Sequence, residues 1–215
     1  MNLIKSGIIL LLVIQIPLSS YSQADFKPKA SFRADVGLPA MLEVATNKGF
    51  RDLMQGMVNV APAFQYTFDN TIAVGTGFRY TFFNVNEFKN NFEMTGNLHF
   101  LGVYGKIGRE EYWDKLGVDY GIRVGYNVVL SNTNFCREIH GEPKMTDGGF
   151  VEPTFNMSYM INENQAFSYG FGYALHSLRF SPQTVCVDDF PGISHNNLNA
   201  RTSYLTFSFG YVFYF

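Results

Sequence analysis

The stretch Ala200–Phe215, ARTSYLTFSFGYVFYF, decides the fold. Counting back from the terminal ring, every second residue is Phe213, Tyr211, Phe209, Phe207 and Leu205. Between them lie Tyr214, Val212, Gly210, Ser208 and Thr206. Successive side chains of a strand point to opposite faces, so one face here is uniformly large and apolar. A soluble protein would have to cover such a face with further chain. A membrane barrel turns it to lipid and sets aromatics at the interfaces.

The same alternation recurs upstream. Strands are predicted at about Ala30–Met41, Met57–Phe68, Thr71–Phe83, Phe92–Ile107, Leu116–Leu130, Phe150–Ile161 and Ala166–Leu178. The third sets Ile72, Val74, Phe78 and Tyr80 against Ala73, Gly75, Gly77 and Arg79. The fourth alternates poorly, and its faces are left unassigned. Connections after strands two and six (Asp69-Asn70 and Asn162–Gln165) are short, and Gly108–Lys115 is somewhat longer. Leu42–Gly56, Asn84–Asn91, Ser131–Gly149 and Arg179–Asn199 are long. Short turns at one end and long loops at the other are the asymmetry of an outer-membrane barrel. The expectation is an all-β, eight-stranded, antiparallel, up-and-down transmembrane β-barrel. A lipocalin-like barrel or soluble sandwich hides its apolar side chains inside. In this chain the small and charged residues share the inner face instead.

Met1–Ser22 reads as a cleavable signal peptide, with Lys5 as its charged start, Gly7–Ile16 as its apolar run and Ser20-Tyr21-Ser22 before the cut. The apolar run is shorter than the roughly 20 residues a spanning helix needs. Residues 23–215 then form one barrel domain. The 22 Phe, 13 Tyr and 20 Gly, with a mean hydropathy near zero, suit strands that alternate rather than helices that span. A formal charge of −2 argues against a nucleic-acid partner. Outer-membrane lipids are the expected surroundings, and no cofactor or metal is called for.

Arg33, Asp35, Arg79, Asp119, Arg123 and Glu152 all fall on the inward face. The interior of an eight-stranded barrel is just wide enough for side chains to fill. Charges in that space must pair or cost several kcal/mol each. They are therefore expected to form a plug, with a narrow conduit for small solutes as the alternative. Cys136 and Cys186 lie in the third and fourth long loops, which flank the hairpin of strands six and seven. In an exported protein such a pair forms a disulfide. Closing that loop of roughly 50 residues restricts the unfolded chain by on the order of 4 kcal/mol. Zinc held with His140 and His195 is the weaker reading, because the second spacing is too loose for a motif. Glu43–Gly56, with Phe50 and Leu53, reads as a short amphipathic segment. Trp113 and Tyr112 are placed in the longer turn, as interface anchors.

The Ser-Tyr-Ser/Gln cleavage region, the aromatic strands with Gly-rich inner faces and the FSFGYVFYF end resemble the small outer-membrane β-barrel families of Bacteroidota, the PorT-like group among them. The terminal strand ending on Phe resembles the C-terminal signature that barrel-insertion machinery reads. The resemblance implies an outer-membrane location. It implies a structural or interaction role in the cell envelope, alone or docked in a larger complex such as secretion machinery. A lipid A hydrolase of the kind found among small barrels needs His and Ser on one strand face. His176 and Ser177 are adjacent and so face apart. No enzymatic activity is expected.

Overall fold

The computed structural model describes residues 29–42, 46, 48–89, 93–188 and 201–215. The expected signal peptide lies outside the described residues, as does His195. Eight antiparallel strands close into a barrel in sequence order, β1 pairing with both β2 and β8. The strands are β1 Ala30–Ala40, β2 Met54–Thr67, β3 Ile72–Val85, β4 Gly96–Trp113, β5 Leu116–Thr133, β6 Lys144–Asn162, β7 Gln165–Arg179 and β8 Arg201–Tyr214. Among the described residues, two helices, α1 Lys48–Leu53 and α2 Asn134–His140, and a 3-10 turn at Pro182–Val185 sit at the loop end.

Four boundaries, on three strands, differ clearly from the sequence reading. β4 starts later and runs on to Trp113, so the supposed longer turn shrinks to Asp114 and Lys115, with Asp114 at φ 51°. Tyr112 is therefore no turn anchor: it points into the lumen and is buried, while Trp113 ends the strand on the outer face. Between strands five and six, β5 continues to Thr133 and β6 begins at Lys144. Lys144, Asp147, Gly148 and Gly149 carry little strand propensity. They are held by pairing with β5, from Ser131↔Lys144 to Tyr126↔Gly149.

The two faces are inverted relative to a soluble barrel. Outside, Phe64, Phe78, Tyr169 and Phe209 are each more than 60% exposed. Rings on neighbouring strands touch along this belt, as Phe32 with Phe64 at 4.8 Å and Phe155 with Phe171 at 5.3 Å. Apolar area this extensive is costly in water and favourable in hydrocarbon. Inside, the glycines expected on the lumen face leave room for the charges. A Cβ on Gly172 would stand 2.5 Å from Glu152 Oε1, and one on Gly210 would collide with Asp35 Oδ1. No described helix is long and apolar enough to cross a membrane.

Candidate functional site

The lumen is filled in three layers. At the loop end is an apolar lid, where loop aromatics pack over the barrel mouth and the inner face is apolar rather than small and charged. α1 turns Phe50 and Leu53 inward, three residues apart and so on one side of the helix. Phe50 meets Phe83 at 5.0 Å and Phe180 at 5.1 Å, edge to face in both cases. Phe180 comes from the chain after β7, and Leu98, Phe100 and Tyr204 rise from the inner faces of β4 and β8. Burying aromatic side chains contributes roughly 1.5–3 kcal/mol each, with a further ~0.5–1.5 kcal/mol for well-set ring pairs.

The disulfide between Cys136 and Cys186 straps this lid, with the Cα atoms 4.9 Å apart. Cys136 is carried by α2, whose N-cap Thr133 accepts the Cys136 N–H at 3.2 Å. Thr133 Oγ1 also donates to the Val185 carbonyl at 3.0 Å, tying the top of β5 to the 3-10 turn. The two sulfurs are bonded to each other, so neither is a thiolate ligand for zinc, and His140 is exposed.

The middle layer holds all six charges expected there, together with two more. Lys106 and Glu110 project inward from β4, the strand whose faces were left unassigned. Continuing the period of two from Tyr104 through Lys106 and Gly108 to Glu110 would have found them. Four cations face four carboxylates, and the buried charge sums to zero. Glu152 Oε2 lies 3.0 Å from Arg79 Nη1 and 3.4 Å from Arg123 Nη1, and its Oε1 accepts from Thr206 Oγ1 at 3.1 Å. Asp119 takes Arg33 Nη2 at 3.3 Å and is gripped through both oxygens by Lys106 Nζ. Asp35 accepts from Ser168 Oγ at 2.9 Å and sits 3.9 Å from Arg123 Nη2. Glu110 accepts from Gln65 Nε2 at 2.9 Å and from Thr67 Oγ1.

Pairing along the wall answers only part of this charge. Lys106 is the cross-strand partner of Arg123, and Glu110 that of Asp119, so like charges stand side by side. Such neighbours are destabilising unless other charges answer them. Along the wall Lys106 reaches Asp119 and Arg123 reaches Glu152, and across the lumen Arg33 and Asp35 on β1 reach Asp119 and Arg123 on β5. Arg79 joins this layer to the lid: its guanidinium lies 5.3 Å from the Tyr204 ring and 5.5 Å from the Phe150 ring. Cations over ring faces gain about 2 kcal/mol when desolvated. His176 is stacked between the same two rings and meets Asn127 Nδ2 at 3.0 Å through Nδ1. Ser177 points outward, so the two side chains lie on opposite faces of β7.

The third layer closes the turn end. Tyr112 and Tyr214 meet edge to face at 5.9 Å, packed with Met160, Ala166 and Val212.

An antiparallel eight-stranded barrel that is apolar outside and charged within defines the outer-membrane type of β-barrel fold. Among solved structures, the chain is similar to Neisserial surface protein A (NspA), at 9% identity and a TM-score of 0.51, over 86% of this chain and 97% of that one. It also aligns with Ail, the attachment invasion locus protein of Yersinia pestis, at 12% identity and a TM-score of 0.46, over 87% and 97%. At these identities the likeness is one of fold. No family profile matches the chain, and no curated protein sequence does.

Proposed function

We propose that this protein is a closed, non-enzymatic β-barrel of a Gram-negative outer membrane that serves as a structural or interaction component of the cell envelope. The observation that carries the reading is the continuous filling of the lumen, from the Phe50 lid through the charge-neutral middle to the Tyr112–Tyr214 floor. A selective conduit favours one sign of charge along an open path. This lumen pairs both signs and packs apolar side chains at both ends. The short turns then lie in the periplasm, and the strapped loops face outward. The exported chain begins after residue 22 in this reading. The terminal strand supports kinship with the small Bacteroidota barrels, and the outer loops or periplasmic turns would meet protein partners such as secretion machinery.

Planar-bilayer recording tests the closed barrel. No stepwise current is expected from purified protein, and reproducible unitary steps would refute it. Mild-detergent pull-down from native membranes tests the interaction role. Stable co-purifying envelope proteins are expected, and a lone monomer would argue against docking.

A further inference from the structure

A chain of hydrogen bonds crosses the outer face at the loop end, from β3 through β4 and β5 to α2. Tyr80 Oη meets His99 Nδ1 at 2.8 Å, and His99 Nε2 meets Asn97 Oδ1 at 2.7 Å. Asn132 Nδ2 donates to that same oxygen at 3.4 Å, and Arg137 Nε donates to Asn132 Oδ1 at 2.7 Å. Phe82 packs beside His99, with ring centroids 5.1 Å apart. Strand register sets the row: Phe82 pairs with His99, and Asn97 pairs with Asn132. Next toward the turn end on the same face come Phe78 on β3 and Leu101 on β4, exposed members of the apolar belt. The chain therefore lies where the lipid-facing belt stops and the headgroup layer begins.

The polarity of the chain follows from its acceptors. The Asn97 carbonyl oxygen can only accept, so His99 donates through Nε2, and in the neutral ring Nδ1 accepts from Tyr80. Asn97 Oδ1 is then filled by two donors, His99 and Asn132. The groups left over are donors: the Asn97 amide nitrogen and Arg137 Nη1 and Nη2. None of these has an acceptor, and Arg137 has no ion pair, among the described residues. With Nε held by Asn132, the guanidinium keeps its Nη1–Nη2 edge free, a fork that matches two oxygens of a phosphate. A free phosphate would gain nothing from the belt directly below. An amphiphile gains from both, with acyl chains along Phe78 and Leu101 and its phosphate on Arg137.

We propose that this patch of the outer face binds the phosphorylated sugar headgroup of lipid A. Arg137 takes the phosphate, the Asn97 amide donates to a sugar oxygen, and Asn132 is the positioning residue that sets the guanidinium. The inference rests on the outward placement of the loops.

Native mass spectrometry of the folded full chain in detergent, with lipid A added, tests it by counting bound lipid. Lipid A should be retained at least fivefold better than phosphatidylglycerol or lipid A stripped of its phosphates. Arg137→Gln should lower that retention at least fivefold. Asn132→Leu keeps the charge but frees the guanidinium, and should lower it at least threefold. Arg109 is a cation on the outer face of β4 at the opposite, turn end, and Arg109→Gln should leave retention unchanged. None of the three side chains is buried, so all three variants should keep the folded, fast-migrating band. Equal retention of the three lipids, a smaller loss with Arg137→Gln or Asn132→Leu, or an equal loss with Arg109→Gln would overturn the proposal. Inorganic phosphate in large excess should not displace the lipid; displacement would assign the patch to free phosphate and overturn the lipid reading. Detergent imposes no orientation, so failure here strikes the site and leaves the closed barrel, which bilayer recording tests, standing.

Discussion

Glu152→Gln should be far more damaging than its small change in shape suggests. Glu152 Oε2 serves both Arg79 and Arg123, at 3.0 and 3.4 Å, and the carboxylate is 1% exposed. The amide preserves volume and can still accept from Thr206 Oγ1. What it removes is one negative charge from a lumen that otherwise sums to zero, leaving two guanidiniums with a single excess positive charge. Breaking a buried pair from one side costs about 3–5 kcal/mol, or roughly two to four decades in the unfolding constant. Removing the excess cation should reverse part of this. Arg79→Met on the Glu152→Gln background restores neutrality and fills similar volume. Asn59 and Thr81, which bind Arg79 Nε, keep each other satisfied through the Thr81 Oγ1–Asn59 Oδ1 bond at 2.8 Å. The double variant should therefore be more stable than the sum of the single losses by about 1–3 kcal/mol. Urea unfolding in lipid vesicles reads this directly through Trp113, the one tryptophan of the chain. A Glu152→Gln cost below ~1 kcal/mol, or strict additivity in the double variant, would refute the charge-balance argument.

Alkylation of unreduced, denatured protein should label no thiol, and Cys136→Ser with Cys186→Ser should lower the unfolding free energy by about 4 kcal/mol in the same urea assay. Phe50→Ala should cost ~3–5 kcal/mol, because the ring fills the centre of the lid; a loss under ~1 kcal/mol would mean the lid is not packed as described. Gly172→Val should deplete the folded, fast-migrating band on unheated gels, since its side chain collides with Glu152. His176→Ala and Ser177→Ala should each leave the lipid A mass spectrum unchanged, and a change with either would reopen the hydrolase reading.

The outer face was legible because lipid asks one thing of every position on it. Phe207, Phe209 and Phe213 announce their orientation without reference to any neighbour. The inner face is harder, because its residues answer one another across space. β4 shows why: Leu98 and Phe100 face inward to the lid, while Leu101 and Val103 face outward. At the loop end the inner Leu98 and Phe100 alternate with the polar Asn97 and His99, whereas further down the outer residues are the apolar ones, so no single alternation runs through the strand, and Lys106 and Glu110 were lost with it. The amphipathic stretch around Phe50 was visible as such. That it caps the lumen depends on Phe83, Phe100 and Phe180, which are brought together only by closure. The partner of Arg33 could not be read locally either, since Asp119 lies on the opposite wall.

That opposite wall has a mechanical consequence. In an eight-membered ring, β1 and β5 are diametrically placed, and Arg33–Asp119 and Asp35–Arg123 run between them as spokes run across a wheel. A hoop without spokes flattens under side pressure and parts most easily where its two ends meet, which here is β1 against β8. Spokes anchored on β1 resist both deformations. Parting that seam would strain buried ion pairs on the far side of the barrel as well as hydrogen bonds at the seam itself. The charges so act less as a stopper in a pipe than as the bracing that keeps the pipe round.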